Sequence, residues 1–136
     1  FSHPWNHQNH ALAKEKAWLK FVLIGDEDLG NPESLCRAQL ADWNKEGIIE
    51  WWGESTCMEK TLCDIDLLVF PSIYREGVPK ILIETAAVGR PIITTDTPGC
   101  RDIVIDGYNG VLVSPSHLLT PSCAMAVAKL SLNTAV

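Results

Sequence analysis

Short apolar runs alternate with stretches of helical period along the chain. Phe21–Gly25, Ile48–Trp52, Asp66–Phe70, Pro91–Thr95 and Gly110–Val113 each read as a strand bounded by Gly, Pro or Asn. Their near-continuous aliphatic and β-branched content suits strands covered on both faces. Between them the pattern predicts helices over residues 9–20, 34–46, 57–63, 79–88 and 124–132. Ser34 is the expected N-cap of the second and Gly47 its stop. Pro79 falls in the first turn of the fourth, with Gly89 just past its end. Strand–helix alternation at this pitch predicts one mostly parallel five-stranded sheet with helices on both faces, an α/β Rossmann-like fold. Residues 1–136 are read as a single domain, with no internal repeat or linker.

The composition narrows the function classes. With 46% hydrophobic residues in 136, the chain can bury a core without disulfides or a structural metal. No apolar run reaches the roughly 20 residues of a membrane span. The net charge of -6 argues against nucleic acid as the main partner. The five cysteines form no C-x-x-C pair, and neither they nor the four histidines have zinc-ligand spacing, so no metal is expected. The first residues, FSHPWNHQNH, lack the basic and apolar regions of a secretory signal. Reduced cysteines and a cytoplasmic setting are the expectation.

Ligands of open α/β sheets bind beyond the carboxyl ends of the strands. Two such ends carry unusual residues: Pro71–Glu84 and Thr95–Asp102. In the first, a loop ending at Gly77 leads into a helix near Pro79. A helix start offers unpaired N–H groups and the positive end of the dipole, which together favour a phosphate. Gly77 admits close approach to the backbone. Pro79 removes one donor and leaves the amides of Gly77, Val78, Lys80 and Ile81. Glu76 precedes this turn and Glu84 lies nearly two turns in, about 10 Å apart at 1.5 Å rise per residue. Carboxylates accept hydrogen bonds from sugar hydroxyls bidentately. A carboxylate on each side of an anion-binding helix start is a candidate nucleotide-sugar clamp, against the alternative that both glutamates are solvated surface charges.

The stretch 71–113 resembles the C-terminal, donor-binding half of retaining GT-B glycosyltransferases of family 4, the glycosyl transferases group 1. The resemblance rests on Glu76-x7-Glu84, Ala87-x-Gly89-x-Pro91-Ile92, Pro98-Gly99-x-Arg101-Asp102 and Asn109-Gly110-x-Leu112-Val113, with weaker similarity back to about residue 21. It implies that Glu84 binds the ribose hydroxyls and that Glu76, the catalytic candidate, touches the donor hexose. It implies that Gly77, Val78, Lys80 and Ile81 supply amides near the sugar and pyrophosphate. Ser55, in the loop after Gly53, would lie near the base, and Gly99 would line the phosphate side. A UDP-sugar is the implied donor, with no further cofactor and no metal. The implied setting is bacterial surface polysaccharide biosynthesis, at most peripherally membrane-associated.

Departures from the family pattern shape the remaining expectations. No strand carrying the family's pyrophosphate-binding Arg and Lys precedes Phe21; Lys14, Lys16 and Lys20 match by charge only. The N-terminal acceptor domain is a missing partner, and pairing with a second copy is a further expectation. The chain alone is expected to be inactive. The rival reading is a non-catalytic nucleotide-binding or oligomerising fragment. A dinucleotide-binding domain would need G-x-G-x-x-G after a strand, which Gly25-Asp-Glu-Asp-Leu-Gly30 does not supply. Arg101 is expected to pair with Asp102 or Asp106, and Tyr74 and Arg75 to shape their loop.

Overall fold

The computed structural model describes residues 19–30, 34–72 and 77–117. The expected helices over 9–20 and 124–132 fall almost wholly or wholly outside these, as do Tyr74, Arg75 and Glu76. The chain divides into two compact units, Phe1–Thr56 and Cys57–Val136.

In the first unit, strand β1 (Val22–Ile24) pairs in parallel with β2 (Glu50–Gly53), and helix α1 (Arg37–Lys45) connects them. Two boundaries differ from the sequence reading by two residues or more, the others by one. Helix α1 starts at Arg37 with Cys36 at the N-cap, not at Ser34. The Ser34 hydroxyl is used elsewhere: it accepts from the Asp28 amide at 2.8 Å. The second strand starts at Glu50 rather than Ile48, because the Ile48 amide donates to the Trp43 carbonyl at 3.0 Å and so still closes the end of α1. Gly47 ends that helix as expected, at φ +73°. Trp51 ties the unit together. Its amide donates to Asn44 Oδ1, and its indole Nε1 donates to the Gly25 carbonyl at 2.8 Å. Exposure alternates along β2, so this strand is not covered on both faces.

The second unit holds a parallel sheet in the order β3 (Leu68–Phe70), β4 (Ile92–Thr95), β5 (Gly110–Val113). Helices α2 (Met58–Cys63), α3 (Lys80–Ala87) and the single turn α4 (Pro98–Arg101) accompany it. The α4 turn was not anticipated. All four β4 residues are buried, as its aliphatic run requires for a central strand. Leu82, Ile92, Cys100 and Val104 form the core, with Leu68, Phe70, Ile81, Ile103 and Leu112 packed around them. The expected single five-stranded sheet is therefore seen as a parallel pair and a parallel triple. Strand pairing follows the division into units: β1 finds its partner in β2, and β3 in β4.

The motif residues of the second unit explain themselves structurally. Gly89 takes φ +73° directly after α3, and Arg90 then donates to the Cys63 carbonyl at the end of α2, at 2.6 Å. Asn109 holds the turn before β5: its Oδ1 accepts from the Ile105 amide at 2.7 Å and its Nδ2 donates to the Ile103 carbonyl at 2.9 Å. Asp106 accepts from the Leu112 amide at 2.9 Å.

Candidate functional site

Parallel pairing of β3, β4 and β5 brings the chain segments that follow Phe70, Thr95 and Val113 to one sheet edge. The loop leaving β3 at this edge leads into α3. That helix is fixed by burying Leu82 and Thr85, three residues apart on one side. Lys80 and Glu84 lie on a different stripe, also one turn apart. Leu82 cannot turn toward solvent without emptying the core, so the direction of Glu84 is set by the packing of its neighbours.

Glu84 faces a groove of about 700 Å³ between α2 and α3. Glu59, Lys60, Cys63 and Asp64 line one wall; Ile83, Glu84, Ala87 and Val88 line the other. The Glu84 side chain is 24% exposed, and its Oε1 lies 3.3 Å from Lys80 Nζ. This carboxylate is neither buried nor freely solvated. It is held at a concave surface by a cation whose own side chain is 88% exposed.

The start of α3 has no side-chain cap and no acidic residue in its first turn. Pro79 occupies the N-cap and its carbonyl accepts from the Leu82 amide at 3.1 Å. The amides of Lys80 and Ile81 have no hydrogen-bond partner among the described residues. Such donors at the positive end of a helix bind an anion well. The Ile81 side chain packs on the core, so only its backbone can serve a ligand. Val78 and Gly77 are exposed just before the helix. A Cβ added at Gly77 would meet nothing within 4 Å among the described residues, whose packing does not demand glycine there.

Gly99 is buried in α4, beyond the carboxyl end of β4. Arg101 pairs with Asp96, not with Asp102 or Asp106 as expected. The α4 turn carries Arg101 back over the end of β4, where Asp96 stands, while Asp106 is occupied by Leu112. The hydrogen bond to Asp96 raises the Arg101 pKa further above its ordinary value. Ser55 is half-buried in the first unit, between β2 and α2. Of the residues singled out from sequence, Lys80, Ile81 and Glu84 thus share one helix, and Gly77 and Val78 lead into it. Glu76 lies outside the described residues. The α2 wall of the groove was missed. Its residues carry no motif, and only a helical period marked them.

The parallel strands and the helices that accompany them form an α/β Rossmann-like fold. The family model for glycosyl transferases group 1 matches residues 6–133, and the chain belongs to that family. It is 31% identical over 105 residues to a Campylobacter jejuni protein, N,N'-diacetylbacillosaminyl-diphospho-undecaprenol alpha-1,3-N-acetylgalactosaminyltransferase, covering 77% of this chain and 26% of the relative. It is also 31% identical over 117 residues to the Vi polysaccharide biosynthesis protein VipC/TviE of Salmonella typhi, covering 84% of this chain and 19% of that protein. The chain thus spans about a quarter or less of the length of these relatives. In fold it is similar to the pneumococcal O-GlcNAc transferase GtfA, solved in complex with UDP and GlcNAc. The TM-score is 0.73 at 23% identity, over 96% of this chain and 26% of that one. It is similar as well to Anabaena HepE, solved in complex with UDP, with TM-score 0.71 at 20% identity, over 95% of this chain and 36% of that one. No helix among the described residues is long and apolar enough to cross a membrane.

Proposed function

We propose that this chain is the donor-binding half of a retaining glycosyltransferase of bacterial surface polysaccharide synthesis, and that its donor is a UDP-sugar. The observation that carries the reading is Glu84 at the groove between α2 and α3, on the helix whose first amides are unpartnered among the described residues. In this reading the diphosphate lies on the amides of Lys80 and Ile81, and Glu84 accepts both hydroxyls of the ribose. Glu76 receives the hexose hydroxyls, and Gly99 lines the phosphate side. Gly77 and Val78 give the sugar end access to the backbone. Two structural relatives solved in complex with UDP, and a sequence relative that is a Vi polysaccharide biosynthesis protein, support it.

Chemically, this half contributes binding and charge stabilisation. A transferase must hold the anomeric carbon near the acceptor hydroxyl and stabilise the departing diphosphate. The leaving phosphate itself takes the acceptor proton, so no protein nucleophile is needed here. The acceptor site belongs to a partner half, and the reaction takes place in the cytoplasm. The chain alone accordingly binds donor without transferring sugar. Calorimetric titration with UDP-, GDP- and ADP-sugars tests the reading. Binding of UDP-sugars alone or most tightly is expected, and no binding of any nucleotide-sugar contradicts it.

A further inference from the structure

The donor reading leaves the cation that would face a bound diphosphate unassigned. In the second unit, Arg90 is engaged with the Cys63 carbonyl and Arg101 with Asp96. Lys60 lines the α2 wall of the groove. Lys80 is different: it is the first residue of α3, its ammonium contacts Glu84, and its side chain is almost fully exposed.

We infer that Lys80 is a donor-recognition residue that exchanges partners, neutralising Glu84 in the empty groove and moving to the diphosphate when a nucleotide binds. This rests on the proposed donor site and adds a cation to it. Two observations and one chemical argument carry the exchange. The pair is an exposed i,i+4 ion pair, a class that holds its partners weakly. Lys80 is the first residue of α3, and long side chains on a helix ordinarily lean toward its N-terminus. The ordinary lean would carry the ammonium over the Lys80 and Ile81 amides, where the diphosphate is placed. Finally, a carboxylate that accepts two ribose hydroxyls no longer has its ammonium as sole partner, and a compact, flexible ammonium reorients to the larger negative charge.

The exchange has a signature that a fixed structural role lacks. For a ligand with ribose but no phosphate, Lys80 competes for Glu84. For a diphosphate, it assists. Calorimetry of the full chain, wild type and Lys80→Met, against UDP and uridine separates the two. Lys80→Met should weaken UDP about tenfold or more and leave uridine unchanged or up to about threefold tighter. Lys60→Met removes the same charge from the groove wall and should affect UDP less than Lys80→Met does. Unchanged UDP affinity in Lys80→Met, or equal weakening of UDP and uridine, would overturn the exchange while wild-type UDP binding kept the donor site itself intact. Failure of the wild type to bind UDP would remove both.

Discussion

Gly110 packs its α-carbon against the backbone of Ile92 on the neighbouring strand. A Cβ there would stand 2.1 Å from the Ile92 carbonyl oxygen and 2.9 Å from Val104 Cγ1. Neither neighbour can yield, since Ile92 is in the central strand and Val104 in the core. This is a glycine required by fold, and Gly77, with open space around it among the described residues, is one that their packing does not require.

The pair gives a contrast to measure. Gly110→Ala should destabilise the protein by about 3 kcal/mol or more, a large effect tied to overpacking against backbone. Gly77→Ala should change stability by less than about 0.5 kcal/mol yet weaken nucleotide-sugar binding, because the methyl group enters space assigned to the ligand. Chemical denaturation and donor titration of both variants check this. Equal stability losses would contradict it.

Asn109 is a second structural residue within a motif that marks the family. Its amide makes two hydrogen bonds to the backbone of the turn before β5. Asn109→Ala should cost about 1–3 kcal/mol by leaving those groups unpaired. Donor affinity, measured where the variant is still folded, should not change.

Acid should loosen the first unit through one ion pair. Arg37 donates to Asp26, with Nε to Oδ1 at 2.8 Å, and this hydrogen bond is the largest influence holding the Asp26 pKa down at about 2, from a reference of 3.8. A carboxyl with a depressed folded-state pKa adds stability above its unfolded pKa. That contribution is lost as pH falls from about 4 toward 2. Arg37→Met should therefore lower stability at neutral pH and flatten its decline across this window. Urea midpoints of both proteins at stepped pH would show it; parallel pH profiles would not fit.

Where the chain could be read from sequence, the signal was local. Gly47 and Gly89 end helices because both adopt φ +73°, and glycine after an apolar helical stretch announces that. The β4 run Ile92–Thr95 is buried throughout, as an aliphatic and β-branched central strand must be. Glu84 stood out from an apolar stretch, and it does face a groove. What could not be read were choices among competing partners. Ser34 is a good capping residue, but its hydroxyl goes to Asp28. Arg101 had acidic neighbours on its C-terminal side, but one turn of helix directs it to Asp96. The groove needs α2 laid beside α3, a long-range contact that no periodicity encodes.

In the proposed donor site Glu84 receives the ribose of the nucleotide. This is tested most directly by titrating wild type, Glu84→Gln and Glu76→Gln with UDP and a UDP-sugar. Loss of the exposed ion pair with Lys80 costs about 0.5 kcal/mol of stability or less, so Glu84→Gln remains folded. Hydrogen bonds to charged groups are worth about 1.5–3 kcal/mol, so Glu84→Gln should weaken both ligands about tenfold or more. Glu76→Gln should weaken only the UDP-sugar, because in the proposed site it meets the hexose. Equal affinities in all three proteins, or equal losses for both ligands in both variants, would contradict the account.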